Sequence, residues 1–216
     1  MSFKKLATAL AATAAFAAPL LVHAESAINI TGVANATAAA NLDFRVTVPR
    51  VLYLRVGTGT ANAANATIDL MDFTVPAANV GNATPVAGTA ASGDLTNGAV
   101  TVRLYGNGGA VSLNSSTSGL MNNGAAAQTL PWTQIGVAVA ALAATTPGYT
   151  NGTLVHPALA AAGNGTATAL PAPANGLVLQ EAKWTFSYLN AAVVAAGTYG
   201  GTVAKNGRVT YTATMP

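Results

Sequence analysis

The sequence predicts an all-β fold, an antiparallel β-sandwich of about eight to ten strands joined by long loops. Three observations lead to this prediction. Apolar and polar residues alternate with a period of two in most runs whose pattern is clear. The runs are short, and segments rich in Gly, Asn, Thr and Pro separate them. The alanine-rich segments that could form helices are themselves short and flanked by Gly, Pro or Asn, so little helix is expected.

The predicted strands follow one another along the chain. Residues 42–48 alternate apolar with polar side chains, Pro49 interrupts the run, and residues 51–56 resume it. A shorter run over residues 27–33 alternates in the same way. The remaining runs that fit the pattern are residues 67–75, 99–105, 110–113, 133–139, 183–189, 201–204 and 208–215. Residues 77–98 and 140–175 lack alternation and are expected to be surface loops.

The C-terminal region contains the clearest turn signal. Asn206-Gly207 separates residues 202–204 from the alternating residues 209–212. Asn-Gly is the preferred pair for a type I′ turn, because both central residues need positive φ. The sequence therefore predicts a β-hairpin here, with Val209 and Tyr211 on the core face.

The first residues have the pattern of a secretory signal peptide. Lys4 and Lys5 precede an uncharged apolar stretch over residues 6–22, and cleavage is expected after Ala24. A membrane-anchoring helix is the alternative, but the stretch is at the short end of the roughly 17–25 residues that span a bilayer and contains Pro19. We expect residues 1–24 to be a signal peptide and residues 25–216 a single secreted domain, with no membrane span after cleavage.

The net charge, the cysteine content and the fraction of charged residues each argue against certain classes of function. Removal of the first 24 of 216 residues takes away two lysines and lowers the net charge from +3 to +1, so no basic surface for nucleic acid is expected. The chain has no cysteine, which excludes disulfides and removes the usual ligand of structural zinc and iron–sulfur sites. No cofactor is predicted. Only 7% of residues are charged, which reflects either genome composition or selection for assembly.

No arrangement of side chains in the sequence predicts catalysis. His156 is the one histidine after the signal peptide, and it is expected in an exposed loop. Asp69 and Asp72 are three apart and would point to opposite faces of a strand, so they do not form a two-carboxylate site. Trp132 and Trp184 are candidate sugar platforms, but a core position is favoured for an aromatic-rich sandwich strand. We predict that the protein is not an enzyme and has no metal site.

A family resemblance lies in the C-terminal tail. The stretch Ala196-Gly197-Thr198-Tyr199-Gly200-Gly201-Thr202-Val203 precedes a threonine-rich strand that ends at Met215-Pro216. This tail resembles the G-T-Y closing motif of exported pilin-like sandwiches, which include the spore-coat-U-like and fimbrial subunit families. The resemblance implies an immunoglobulin-like sandwich with a structural role on the cell surface. Members of those families usually carry cysteines, and this chain has none.

The residues after the signal peptide suggest how such a protein could assemble. Residues 27–31 alternate like a strand, and Ile28, Ile30 and Val33 are the candidate apolar residues of an assembly strand. The alanine-rich residues 34–41 separate them from the next run. Residues 25–41 could therefore be a donor strand and its tether, which would add to the open sheet edge of a neighbour. The other interpretation is an ordinary first strand that pairs within its own sheet.

These features predict a secreted structural protein of the cell surface that passes through the periplasm and associates with itself. It would be a subunit of a fimbria-like filament or of an envelope coat. The sequence does not identify its export or assembly factors. The alternative function is a secreted carbohydrate- or ligand-binding sandwich that would use Trp132 or Trp184.

Overall fold

In the part of the chain that the structure describes, all strands lie after Pro49. The structure is a computed structural model that describes residues 26–30, 32, 34–60, 62–125 and 127–216. The chain divides into two units, residues 1–48 and residues 49–216. The described residues of the first unit contain no helix or strand, and those of the second form strands plus three single turns of 3-10 helix. The all-β, sandwich-like prediction is therefore confirmed.

The larger sheet is built on β10, an eleven-residue strand over Val178–Tyr188. β3 (Ala99–Gly106) pairs antiparallel with it on one edge, and β1 (Leu52–Val56) pairs antiparallel with β3. β7 (Ile135–Ala140) pairs antiparallel with the opposite edge of β10. Two two-residue strands extend these edges: β2 (Val86–Ala87), which is antiparallel to β10, and β8 (Thr150–Asn151), which is parallel to it.

The second sheet has three antiparallel strands in the order β11-β4-β9. β4 (Val111–Thr117) is central, with β11 (Val209–Thr214) on one side and β9 (Thr168–Leu170) on the other. A small ribbon of β5 (Met121–Asn122) and β6 (Thr129–Leu130) stands apart from both sheets. The turns of 3-10 helix are Ala77–Asn79, Trp132–Gln134 and Val203–Lys205.

Alternation along the central strands forms the core. On β10 the side chains of residues 178, 182, 184, 186 and 188 are buried, and on the neighbouring β3 those of residues 100, 102 and 104 are buried beside them on the same face of the sheet. β4 contributes Val111 and Leu113 from the second sheet. A second cluster joins Met121, Leu130, Trp132 and Tyr188. With no disulfide available, burial and strand ladders hold these layers together.

Six of the ten predicted runs overlap strands of the structure, but four do not, and the run over residues 201–204 is described below with the C-terminal turn. Residues 42–48 belong to no strand and expose their apolar side chains. Residues 67–75 belong to no strand either. The described residues of the 27–33 run form no strand either.

The predicted C-terminal hairpin is wrong. Residues 203–205 form a 3-10 turn instead of a strand, and positive φ occurs at Asn206 (52°) but not at Gly207, so the turn is not type I′. Asn206 ends the 3-10 turn in the left-handed conformation, where its side chain donates a 3.0 Å hydrogen bond to the Leu120 carbonyl. β11 therefore pairs with β4 and not with the residues that precede it.

The segment 140–175 is not a simple surface loop. Gly152 N donates to the carbonyl of Glu181 on β10, and Leu154 and Pro157 are fully buried. The segment also contains β8 and β9. Among the described residues no helix combines the length and the apolar character needed to cross a bilayer.

Candidate assembly site

Four exposed apolar side chains alternate with polar ones in the residues just before Pro49. We call residues 42–48 the arm. Its apolar side chains, Leu42, Phe44, Val46 and Val48, are between 64% and 86% exposed. Alternate side chains of an extended segment point to the same side, so in a strand these four would form one apolar face and Asp43, Arg45 and Thr47 the other. An apolar face of this kind is normally buried, whereas these four side chains are exposed.

The predicted donor-strand residues lie further toward the N-terminus. Ile28 and Ile30 are also exposed, at 85% and 84%. Val33, Ala24 and the signal peptide lie outside the described residues. The prediction of a donor strand at residues 27–33 missed the arm, because residues 42–48 were expected to pair within their own sheet.

β11 presents an open edge of the second sheet. In the described part of the chain, β4 is the one strand that pairs with β11, which leaves the backbone of its other edge without a ladder partner. An unpaired strand edge is a template for pairing with another chain. On β11, Thr210, Thr212 and Thr214 face outward and are exposed.

The core-facing side of β11 is incompletely covered. Tyr211, Ala213 and Met215 pack against the main core, and Val209 packs against the second cluster, yet all four remain only partly buried. β1 shows the same property at the edge of the larger sheet, where Leu54 and Val56 contact the core and remain partly exposed. The Cα atoms of β1 and β11 approach within 8 Å, so both edges lie on the same side of the sandwich.

Residues 71–75 continue this side of the molecule. Met71 and Phe73 pack against the main core, and Phe73 and Val75 pack against the second cluster. Asp72 and Thr74 alternate with them and are exposed. Thus β11 and residues 71–75 border the same two clusters, and neither is paired with the other by strand hydrogen bonds in the described structure.

β11 is fixed from the interior by a cluster of aromatic rings. The Tyr211 hydroxyl and His156 Nε2 share a 2.7 Å hydrogen bond, and the His156 ring lies edge-on to Trp184 with centroids 4.5 Å apart. Burial lowers the pKa of His156 to about 4 and raises the pKa of Tyr211. The expectation that His156 lies in an exposed loop is wrong: it packs between the second sheet and β10. Its sequence neighbourhood lacks alternation and gave no sign of this contact.

The two tryptophans are core residues, as the sequence favoured. Trp184 is fully buried and its indole N–H donates a 2.7 Å hydrogen bond to the Leu154 carbonyl. Trp132 is buried in the second cluster, and its indole N–H donates to the Gly119 carbonyl at 2.9 Å. Stacking on a sugar requires an exposed ring face, and neither ring offers one.

The carboxylates with described partners make structural contacts. Asp69 accepts from the backbone and hydroxyl of Thr58, and Asp94 pairs with Arg55 at 3.0 Å. Glu181 is fully buried and accepts from Arg103 at 2.8 Å and from Thr146 N at 2.7 Å. Burial alone would raise the pKa of Glu181, but the hydrogen bonds from Thr146 and the Arg103 charge outweigh it and lower that pKa. Among the described residues no three His, Asp or Glu side chains are grouped to hold a metal ion.

An open cleft lies along β1. Its volume is about 480 Å³, and it lies between residues 51–56 and the turn over residues 58–67. Its lining combines the strand with short Ala, Asn, Thr and Gly residues, and Tyr53 is its single aromatic residue among those described. Small polar side chains without a charged cluster do not resemble the apolar, aromatic-lined sites typical of small ligands.

The comparisons with known proteins give no family and no relative for this chain. No protein-family model, no curated protein and no solved structure matches the chain.

Proposed function

We propose that the protein is a secreted structural subunit of the cell surface that associates with itself by β-strand addition. The observation that carries the proposal is the exposed apolar side chains of the arm, together with a sheet edge at β11 that has no ladder partner among the described residues. An apolar segment and an open sheet edge can pair with each other between chains. A contact of this head-to-tail kind does not close on itself and extends into a filament.

Three further features support this proposal. The N-terminal pattern of the sequence is that of an exported protein. The low content of charged residues reduces the electrostatic repulsion between copies. Three of the described carboxylates, Asp69, Asp94 and Glu181, and the described histidine, His156, are engaged in structural contacts.

Carbohydrate binding is the alternative function, and the positions of the tryptophans weigh against it. Both candidate platforms, Trp132 and Trp184, are buried. A binding module of this fold would need another aromatic surface.

The proposal is tested by removing the N-terminal segment from the secreted protein. Deletion of residues 28–48 retains the first residues after the expected cleavage site and all of the described strands. We expect the full-length secreted protein to form large assemblies in size-exclusion chromatography and filaments or a coat in negative-stain microscopy of the cells. The deletion variant should be a folded monomer, as judged by circular dichroism.

A matched control is deletion of residues 34–40, an alanine-rich stretch without apolar alternation. This variant should still assemble, because it keeps both Ile28 and Ile30 and the whole arm. The proposal fails if the full-length protein remains monomeric at high concentration. It also fails if the variant that lacks residues 28–48 still polymerises.

A further inference from the structure

We infer that Asn175 is a site of spontaneous deamidation, in which the backbone nitrogen of Gly176 attacks its side-chain amide, and that the fold shields the other Asn-Gly pairs. The sequence contains seven such pairs, at Asn97, Asn107, Asn123, Asn151, Asn164, Asn175 and Asn206. Glycine has no Cβ to hinder the attack and gives the backbone the freedom that the attack needs, so an Asn-Gly pair is reactive in an unfolded chain. The reaction does not require self-association of the protein.

The only co-reactant that deamidation needs is water. The Gly176 nitrogen forms a bond to Cγ of Asn175 while the bond from Cγ to Nδ2 breaks. The proton of the Gly176 nitrogen leaves with Nδ2 as ammonia, and the product is a cyclic imide. Water then adds to one of the two imide carbonyls and opens the ring to aspartate or isoaspartate, with no oxidation or reduction. The attack therefore requires a glycine nitrogen without a hydrogen bond and a carboxamide that is free to turn toward it.

In the folded protein, the glycine N–H of every Asn-Gly pair donates a hydrogen bond. In chain order the acceptors are Ser92 O, Met215 Sδ, Asn122 Oδ1, Glu181 O, Ser115 O, Pro173 O and Thr202 O. A nitrogen whose N–H is bonded in this way cannot attack until the hydrogen bond opens. The rate at each pair is therefore expected to follow how readily that bond opens.

The hydrogen bond at Gly176 belongs to a turn that can open by itself. Gly176 N donates to the Pro173 carbonyl at 2.8 Å, within the loop over residues 171–177 that joins β9 to β10. Asn175 is exposed, and its Oδ1 accepts from Leu177 N at 3.1 Å. Its Nδ2 has no hydrogen-bond partner among the described residues. Exposed turns of this kind open at a much smaller free energy than strands of the core.

One backbone hydrogen bond joins this turn to the rest of the domain. Gly109 N donates to the Gly176 carbonyl at 3.2 Å. That carbonyl belongs to the peptide unit that follows Gly176, whereas the reacting nitrogen belongs to the unit that precedes it. The peptide unit between Asn175 and Gly176 can therefore turn while the bond from Gly109 stays in place.

The pair Asn164-Gly165 is the best comparison, because Asn164 is also exposed and its carboxamide has no hydrogen-bond partner in the described part of the chain. Gly165 N, however, donates to the Ser115 carbonyl of β4 at 2.8 Å. A Cβ at Gly165 would clash with the Ala158 carbonyl oxygen, so this glycine lies tightly between two other segments. Its nitrogen becomes free only when those segments separate.

The remaining pairs are held more firmly than Asn175. In four of them Oδ1 accepts one hydrogen bond and Nδ2 donates another, at Asn107, Asn123, Asn151 and Asn206. Asn97 is exposed, but the Gly98 that follows it is buried and its carbonyl accepts from Phe186 N of β10. We therefore expect these five pairs to react slowly in the folded protein.

Deamidation at Asn175 would alter both the charge and the backbone of the loop that enters β10. Each conversion adds one negative charge to a chain whose expected net charge after removal of residues 1–24 is +1. The isoaspartate product also adds a carbon atom to the main chain between residues 175 and 176. The altered fraction would grow with the age of the protein and can be detected by its charge.

The test is a timed incubation of the full-length secreted protein at neutral pH in heavy-oxygen water. Opening of the imide adds one heavy oxygen, which distinguishes conversion during the incubation from conversion during later handling. Digestion with pepsin in acid, where imide formation is slow, and mass spectrometry give the converted fraction at each pair. In the folded protein we expect severalfold more conversion at Asn175 than at Asn164. In urea the two pairs should convert at similar rates, because their hydrogen bonds are gone.

Two variants with matched exposure check the assignment by isoelectric focusing. The wild type should develop one acidic band with time, which Asn175→Gln should lack and Asn164→Gln should retain. Glutamine would have to close a larger ring and therefore reacts much more slowly. The inference is overturned if Asn164 or another pair converts as fast as Asn175 in the folded protein, or if the acidic band persists in Asn175→Gln. An equal excess of conversion at Asn175 in urea would overturn the shielding by the fold.

Discussion

Protonation of His156 is expected to weaken the fold in acid. Burial lowers the pKa of His156 to about 4 in the folded protein, whereas the unfolded chain has a pKa near 6.5. Between these values the unfolded state binds more protons, so the free energy of unfolding falls as the pH drops from about 6.5 to about 4. Above and below that window this residue contributes no slope. The size of the loss is on the order of 2–4 kcal/mol, because each pKa unit corresponds to about 1.4 kcal/mol.

The measurement is urea denaturation at several pH values for the wild type and for His156→Gln. Glutamine can still hydrogen-bond to the Tyr211 hydroxyl but does not titrate. The carboxylates titrate in both proteins, so the difference between the two curves isolates His156. Equal pH dependence in the two proteins would show that His156 is hydrated. We also expect His156→Ala to destabilise the protein at pH 7, because it removes a packed ring beside Trp184.

Gly207 has no room for a side chain, and it does not adopt the positive φ that a type I′ turn would require. A Cβ at this position would lie 2.6 Å from the carbonyl carbon of Gly200, a backbone atom that cannot move aside cheaply. Gly207→Ala should therefore lower the free energy of unfolding by about 1–3 kcal/mol. Gly59→Ala is the matched control, since its Cβ would make ordinary contacts at 3.6 Å or more. Thermal melting of the two variants measures the difference, and an equal Tm would contradict the close approach.

At the scale of the elements, the ion pair between Arg103 and Glu181 ties β3, β10 and the 140–175 segment together. Glu181 is fully buried and also accepts from Thr146 N, while the Arg103 guanidinium lies 5.9 Å from the Tyr149 ring centroid. Arg103→Met leaves a buried carboxylate without its cation, and we expect a loss of about 3–5 kcal/mol. The double variant with Glu181→Met removes both charges and should recover much of that loss. Chemical denaturation of the two variants tests this, and a double variant less stable than Arg103→Met would contradict it.

The strands that were predicted correctly from the sequence are those with one face toward the core and the other toward solvent. β11 and the C-terminal parts of β3 and β10 alternate buried side chains with more exposed ones, and a period of two in the sequence reports that directly. Strands of two residues, such as β5 and β8, are too short to show a period. Their existence depends on neighbours that are distant in the sequence.

The wrong predictions have physical reasons. The arm has the alternation of a strand, but alternation states only that one face is apolar and not which chain covers it. Asn206-Gly207 permits a type I′ turn, yet Asn206 caps a 3-10 turn because its side chain is held by Leu120 O and Ser118. The segment 140–175 docks through backbone hydrogen bonds and isolated side chains such as Leu154, which leave no periodic signal. The candidate site was therefore predictable in kind, as an N-terminal strand, but not in position.

At the scale of the whole molecule, the fold and the proposed assembly would use different residues. The described core clusters consist of residues that follow Pro49, whereas the arm precedes it. A substitution in the arm should therefore leave the subunit intact, whereas a substitution in the core should destroy it. The stability of the subunit and its self-association can therefore be measured separately.

The last prediction uses that separation. Phe44→Asp should change the free energy of unfolding of the dilute monomer by no more than about 0.5 kcal/mol, because Phe44 is 85% exposed there. Trp184→Ala should cost about 3–5 kcal/mol, because this fully buried indole fills the core and donates to the Leu154 carbonyl.

Assembly adds a second effect, since binding that favours the folded state makes the Tm rise with protein concentration. The wild-type Tm should rise in this way, and that of Phe44→Asp should stay constant, because an aspartate on the apolar face cannot be buried without a partner. Differential scanning calorimetry over a range of protein concentrations measures both effects. A concentration-dependent Tm that persists in Phe44→Asp would show that the copies associate through a surface other than the arm.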